Sequence, residues 1–244
     1  MRGRRSRRLH RDALGTLTAV ENTAVRTPLS RERVTSAALV LIDAEGLDAL
    51  SMRKLGAALG VEAMSLYNHV RNKDDLLGAV TDHICAEILA RFDTSTSPTS
   101  NEDPASWQVR ATAMAYAYWT VSREHPRAFP LVSEKPIDSM NGMTMLARCL
   151  EIFTDAGLSL DDAAAAFHAA AGWLLGTIEQ EHRLMGKLVE GGGITKADVP
   201  EALSSIVDFR DACLATSPEA RFSLGLEILL AGIEARLATA RTRP

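Results

Sequence analysis

The stretch LSMRKLGAALGVEAMSLYNHVRNKDDLL, residues 50 to 77, decides the fold. Ser51 precedes Leu55 and Leu59, one turn apart, and its hydroxyl can cap a short helix by accepting an otherwise open backbone N–H. Gly56 stands where two helices cross, and Gly60 can take the left-handed conformation of a tight turn. Val61 and Leu66 plug the junction, and Leu66 with Val70 marks a further short helix. That spacing is a helix-turn-helix. Its second helix projects Ala63, Met64, Ser65, Tyr67, Asn68 and His69, small, hydroxylated and amide side chains that suit a nucleic-acid groove. Arg53 and Lys73 are placed to meet phosphates. The competing reading is three short helices that only pack, with Tyr67 and His69 holding the second of them in place.

On either side the pattern stays helical. Val34, Ala38, Leu41 and Ile42 form one face of a helix from about Ser30 to before Gly46, and Leu77, Val80, Ile84 and Ile88 stripe a longer one after the motif. Asp93 to Glu102 is rich in Ser and Thr and reads as a loop. Asp103-Pro104 then opens a helix to about Glu124, ahead of Pro126. Another spans about Asp138 to Ala156 and ends at Gly157. Ser159 and Asp162 form a capping box for a helix to about Glu190, broken by Gly191 to Gly193. The last runs from Ser217-Pro218 to about Thr239, with Leu224, Ile228, Leu229, Ile233 and Leu237 as its stripe. Sustained alternation of period two is missing, so the fold class is all-α: an N-terminal helix-turn-helix domain and a larger helical bundle. The division expected is a flexible Arg-rich arm over residues 1–28, the helix-turn-helix domain over 29–92, a linker over 93–103 and the bundle over 104–240.

Charge is uneven along these parts. Residues 1 to 29 hold seven Arg against two acids, whereas residues 76 to 244 hold 14 basic and 22 acidic side chains. A polyanion is therefore expected to meet the N-terminal end, and Arg2, Arg4, Arg5, Arg7, Arg8 and Arg11 either track phosphates or enter the minor groove beside the site, or else form a disordered tail. Cys85, Cys149 and Cys213 are far apart and odd in number, which fits a reducing compartment. With no apolar run of about 20 residues and no signal-peptide core, a cytoplasmic location and no membrane partner are expected.

Residues 29 to 90 resemble the DNA-binding domain of the tetracycline-repressor (TetR) family. The run from Arg53 to Leu77 matches the family's most diagnostic segment without a gap, including Leu66, Tyr67 and Val70 and then Asn72, Lys73, Leu76 and Leu77. The remainder is similar to the tetracycline-repressor subgroup, as in LARF at residues 89 to 92 and LGTIEQEH at 175 to 182. The resemblance implies a homodimer on a palindromic operator in double-stranded DNA. It implies phosphate contacts from Ser51, Tyr67 and Lys73, and groove contacts from Met52, Arg53, Ala63, Met64, Ser65, Asn68 and His69. Ala63, Met64 and Asn68 depart from the residues of the tetracycline repressor, so a different operator is expected. The same resemblance implies a four-helix dimer seam from the helices at about 160 to 190 and 218 to 239.

Ten of the twelve aromatics lie beyond residue 100. Each can serve simply as core; as a set with adaptable Met they suit an apolar cavity for a small-molecule effector. Trp119, Phe129, Phe167 and Trp173 are the expected walls, and His168, Glu179 and His182 the polar anchors. His168 and Glu179 are 11 apart, close to three turns, and share a helix face. The positions that resemblance assigns to a magnesium-tetracycline complex carry Phe92 or Asp93, Leu131 and Glu134, so another planar or amphipathic ligand is expected and no cofactor. Glu179, Glu181 and His182 do not share one face, which argues against a metal there. No nucleophile elbow or catalytic acid pair stands out, and the expectation is a regulator, not an enzyme: most simply a ligand-released repressor, with a ligand-dependent activator or co-repressed regulator, or a binding protein without DNA, as the alternatives.

Overall fold

Gly60 turns the chain as its type allows: φ is +67°, and it closes α2 (Met52–Leu59) with its N–H bonded back to that helix. This is a computed structural model, which describes residues 28–96, 106–134, 139–182 and 195–241. The chain divides between Ser30 and Arg31 into two units, and all that follows concerns the second. Every regular element among the described residues is helical. Before α2 lies α1 (Arg31–Glu45), whose Val34, Ala38, Leu41 and Ile42 are buried as their spacing requires. After it come α3 (Ala63–Leu66) and α4 (Lys73–Ser95), capped by the Asn72 side chain, which accepts from the Asp75 N–H. The body follows as α5 (Trp107–Glu124), α6 (Pro130–Glu134), α7 (Met140–Asp155), α8 (Leu160–Gln180), α9 (Ser204–Ala215) and α10 (Pro218–Arg241).

The long helix α4 belongs to both halves. Its N-terminal part packs on α1, and the same helix is covered by α5, α6 and α7. It continues to Ser95, past the expected start of the loop at Asp93, because the Thr94 and Thr96 hydroxyls donate back to the carbonyls of Ala90 and Phe92 and keep the last turn closed. α5 starts only at Trp107, after an extended Ser106 that makes no capping bond; Asp103-Pro104 lies outside the described residues. So do the Arg-rich arm before Pro28 and Gly191 to Gly193. α8 has the expected Ser159 cap, accepting from the Asp162 N–H, and after Gln180 passes into a wider turn at Glu181 and His182.

Two helices escape the sequence reading. α6 has five residues, too few for a period, and α9 spreads Ile206, Val207 and Phe209 over several faces, of which Val207 alone is buried. The expected stripe of α10 splits in two: Ile233 and Leu237 are core, while Leu224 and Ile228 are 58% and 67% exposed.

Gly56 has no spare room. A Cβ there would sit 2.9 Å from the Val61 carbonyl oxygen and 3.1 Å from the Ala63 nitrogen, both main-chain atoms of the turn that leads into α3. Gly56→Ala is therefore expected to destabilise the protein by about 1–3 kcal/mol through overpacking, even after the better helix propensity of Ala offsets part of it. A lower urea midpoint would read this out, and an unchanged one would show that α3 can slide away freely.

Candidate nucleic-acid interface and ligand cavity

α3 is a single turn, prolonged by tight turns rather than by helix: Asn68 N–H donates to Ser65, and His69 and Val70 N–H groups donate to the Leu66 carbonyl. Leu66 is wholly buried beneath it, while Met64 is 72% exposed and Tyr67 43%. Asn68 is also exposed, and Ala63, Ser65 and His69 are half-buried. Arg53 and Lys73 are exposed on the flanking helices, with Met52 half-buried beside them. The Ser51 hydroxyl accepts from the Lys54 N–H at 3.2 Å, which occupies one lone pair and leaves its proton free to donate outward.

The sequence reading missed Arg31. Its guanidinium forks onto both oxygens of Asp75 at 3.0 Å and also donates to the His69 carbonyl at 2.9 Å. One side chain of α1 thus fixes both the end of the reading segment and the start of α4. The Arg31 hydrogen bond, then the Arg71 N–H, hold the Asp75 carboxyl far below the usual carboxylate range. Only the pairing of an Arg at the start of α1 with an Asp at the first turn of α4 hinted at this, and neither belongs to the motif.

Further polar braces tie α4 and α1 to the body. Asn141, at the start of α7, donates its N–H and side-chain amide to the two carboxylate oxygens of Asp82 on α4, at 3.0 and 2.9 Å. His125, at the end of α5, meets Asp43 of α1 through Nδ1 at 2.6 Å and Glu87 of α4 through Nε2 at 3.1 Å. Arg127 donates to the Ala44 carbonyl. Burial pulls the His125 pKa down, but the hydrogen bond and charge of Asp43 and the charge of Glu87 outweigh it and leave it raised. Glu87, Glu124 and His125 bring ligating atoms within 4.8 Å of one another. The Arg91 guanidinium already pairs with both glutamates, so the negative charge that would draw a cation is met.

A raised histidine pKa stabilises the fold fully below the unfolded value of about 6.5. That contribution is lost as pH rises through the higher folded value. The melting-temperature gap between wild type and His125→Gln should therefore be widest on the acid side and shrink as the pH climbs above neutrality. A gap that widens with pH would mean that His125 sits there neutral.

The body holds a cavity of about 520 Å3 between α5, α6, α7, α8 and α10, open at one end. From the expected set, Phe167, His168 and Trp173 line it. Trp119, Phe129, Glu179 and His182 stand outside it. The Trp119 indole stacks on Phe222 at 5.0 Å, gives its N–H to Glu181 at 2.9 Å and lies under the Arg123 guanidinium. Phe129 is buried edge-on to Tyr118. Glu179 faces solvent, and His182 lies in the wider turn past α8, where burial lowers its pKa. Spacing along α8 does put His168 and Glu179 on one face, both exposed, but only the His168 end of it reaches the cavity. The wall's other members are mostly small or aliphatic, apart from Met114, Tyr118, Ser133, Cys149 and Phe153, and such residues from five helices carry no sequence signature as a set.

Among the described residues no helix is long and apolar enough to cross a membrane. Residues 34–80 match the model of the bacterial regulatory proteins of the tetR family, and residues 98–237 match that of the tetracyclin repressor-like C-terminal domain. The chain is 32% identical over 216 residues to the class D tetracycline repressor protein of Escherichia coli, covering 86% of this chain and 91% of that protein. It is 28% identical over 225 residues to the HTH-type transcriptional repressor DrrR1 of Streptomyces coeruleorubidus, covering 87% and 80%. Among solved structures it is similar to the TetR family protein ActR of Streptomyces coelicolor in complex with actinorhodin, with a TM-score of 0.67 and 26% identity over 86% of this chain and 99% of that one. With two family models that together span the reading head and the body, the chain belongs to the tetracycline-repressor family of DNA-binding transcription regulators.

Proposed function

We propose that the protein is a homodimeric repressor that leaves a palindromic operator when a small molecule fills the cavity of each body. The reading head is residues 29–92, the sensing and dimerising body residues 104–240, and the segment between is a linker. In this reading Ser51, Tyr67 and Lys73 hold phosphates, and Met52, Arg53, Ala63, Met64, Ser65, Asn68 and His69 meet the groove. Phe167, His168 and Trp173 contact the ligand, while Trp119, Phe129, Glu179 and His182 act from behind or beside the wall. The family relation supports binding to DNA, to a ligand and to a second copy; the complex of ActR with actinorhodin supports a ligand in this body.

The observation that carries the reading is that the helices around the cavity, α5 and α7, are the ones braced to α4, the helix leaving the reading head. A ligand that spreads α5 from α7 moves Glu87 and Asp82 with them. α4 then swings, and the two recognition segments of a dimer no longer fit successive major grooves. Footprinting at the promoter of the protein's own gene should show an inverted repeat with half-sites about one helical turn, roughly 34 Å, apart. Protection without that symmetry would defeat the proposal.

A further inference from the structure

The cavity carries a chemical signature of its own. Among its described lining residues there is no Asp, Glu, Lys or Arg. An ion deep inside, away from His168 at the mouth, would leave water with no counter-charge to meet it. The polar side chains differ in depth. Ser133 and His168 are exposed and belong to the mouth. Cys149 is deep, and burial pushes its thiol up to about 12, so it stays a neutral and weak donor. Tyr118 is the deep strong one. It keeps part of its surface accessible, yet its phenol is desolvated enough to raise its pKa well above 10. Tyr118 lines the cavity, so that space is what its accessible surface meets. Its ring contacts Phe129 edge-on, and after burial itself the nearby Cys149 of α7 and Cys85 of α4 add to the rise in its pKa. No described residue hydrogen-bonds that hydroxyl. A donor left open at the wall of an apolar cavity discriminates strongly, because a ligand without an acceptor leaves it unpaired.

Resting on the reading of this cavity as the effector site, we infer that the Tyr118 hydroxyl is the hydrogen-bond donor offered to the ligand, a neutral and mostly apolar molecule that carries a carbonyl-type acceptor. The acceptor end is buried beside α4, and any more polar end points to Ser133 and His168 at the mouth. Trp173 sets the width of the slot: its ring rests against Gly225, where a Cβ would come within 2.7 Å, so the indole cannot retreat from the wall if that position gains a methyl group.

The test uses the full-length dimer and three flat tricycles: fluorenone, fluorene, which lacks the carbonyl, and a fluorenone carboxylate. Affinities are read from quenching of tryptophan fluorescence. Fluorenone should bind wild type on the order of tenfold more tightly than fluorene, as one buried neutral hydrogen bond allows, and the carboxylate more weakly than either. Tyr118→Phe should erase the preference by weakening fluorenone alone, with its unchanged fluorene affinity proving the slot intact. A preference that survives in Tyr118→Phe overturns the role of Tyr118 while the cavity remains the binding site. Carboxylate binding as tight as fluorenone overturns the neutral class. Failure of all three to bind wild type overturns the cavity reading and this inference with it.

Discussion

Ile228→Asp is expected to convert the dimer into well-folded monomers that lose operator affinity by about 10²- to 10⁴-fold, the range by which a second linked contact multiplies the first. The face it would break is already visible on one protomer. Leu224, Ile228, Ala231 and Ala235 follow one another on the exposed side of α10, and Ala165, Ala169, Gly172 and Gly176 do so on α8. Small side chains on one helix and branched ones on the next let two copies approach closely across a two-fold axis. A buried charge without a partner is not tolerated at such a seam. Because Ile228 is 67% exposed in the protomer, the substitution removes nothing from the core. Leu229 looks equivalent in sequence but belongs to the cavity wall, so its replacement would confound dimerisation with ligand binding. Sedimentation and circular dichroism together decide: a variant that remains dimeric places the seam elsewhere.

The second large effect is reciprocal. If ligand weakens operator binding by the 5- to 150-fold that a typical coupling of about 1–3 kcal/mol gives, operator must weaken ligand binding by the same factor. Trp173 in the wall supplies the optical signal. Titrating ligand into free protein and into the protein–operator complex should give dissociation constants that differ by that factor. Equal constants, for a ligand that fills the cavity, would exclude any switch built on α4.

The reading head was almost wholly legible because its determinants are local. Ser51, Gly56, Gly60 and Leu66 each act on a neighbour within a few residues, and a helix-turn-helix leaves little freedom in their spacing. The body was legible in its helix order and poorly so in its site. Aromatic residues drew attention to Trp119 and Phe129, which serve as packing, since large rings bury area wherever they lie. Beside Tyr118, Phe153, Phe167 and Trp173, the wall is largely Ala, Leu and Ile from helices as far apart in the chain as α5 and α10, whose meeting depends on tertiary packing. The braces were missed for the same reason: Arg31, Asp82, His125 and Asn141 each look like an ordinary surface residue until a partner from another helix is beside it.

Those braces have a consequence for the gene under control. The His125 and Asn141 contacts join half-exposed side chains, so in the proposed switch the free-energy gap between holding and releasing states is tuned at positions outside both the groove surface and the cavity wall. A change at Asn141 or His125 would shift the dose at which expression begins, leaving the effector recognised and the sequence regulated as they were. Lineages carrying the same reading head and the same cavity could in this way tune their alarm thresholds independently, one hydrogen bond at a time.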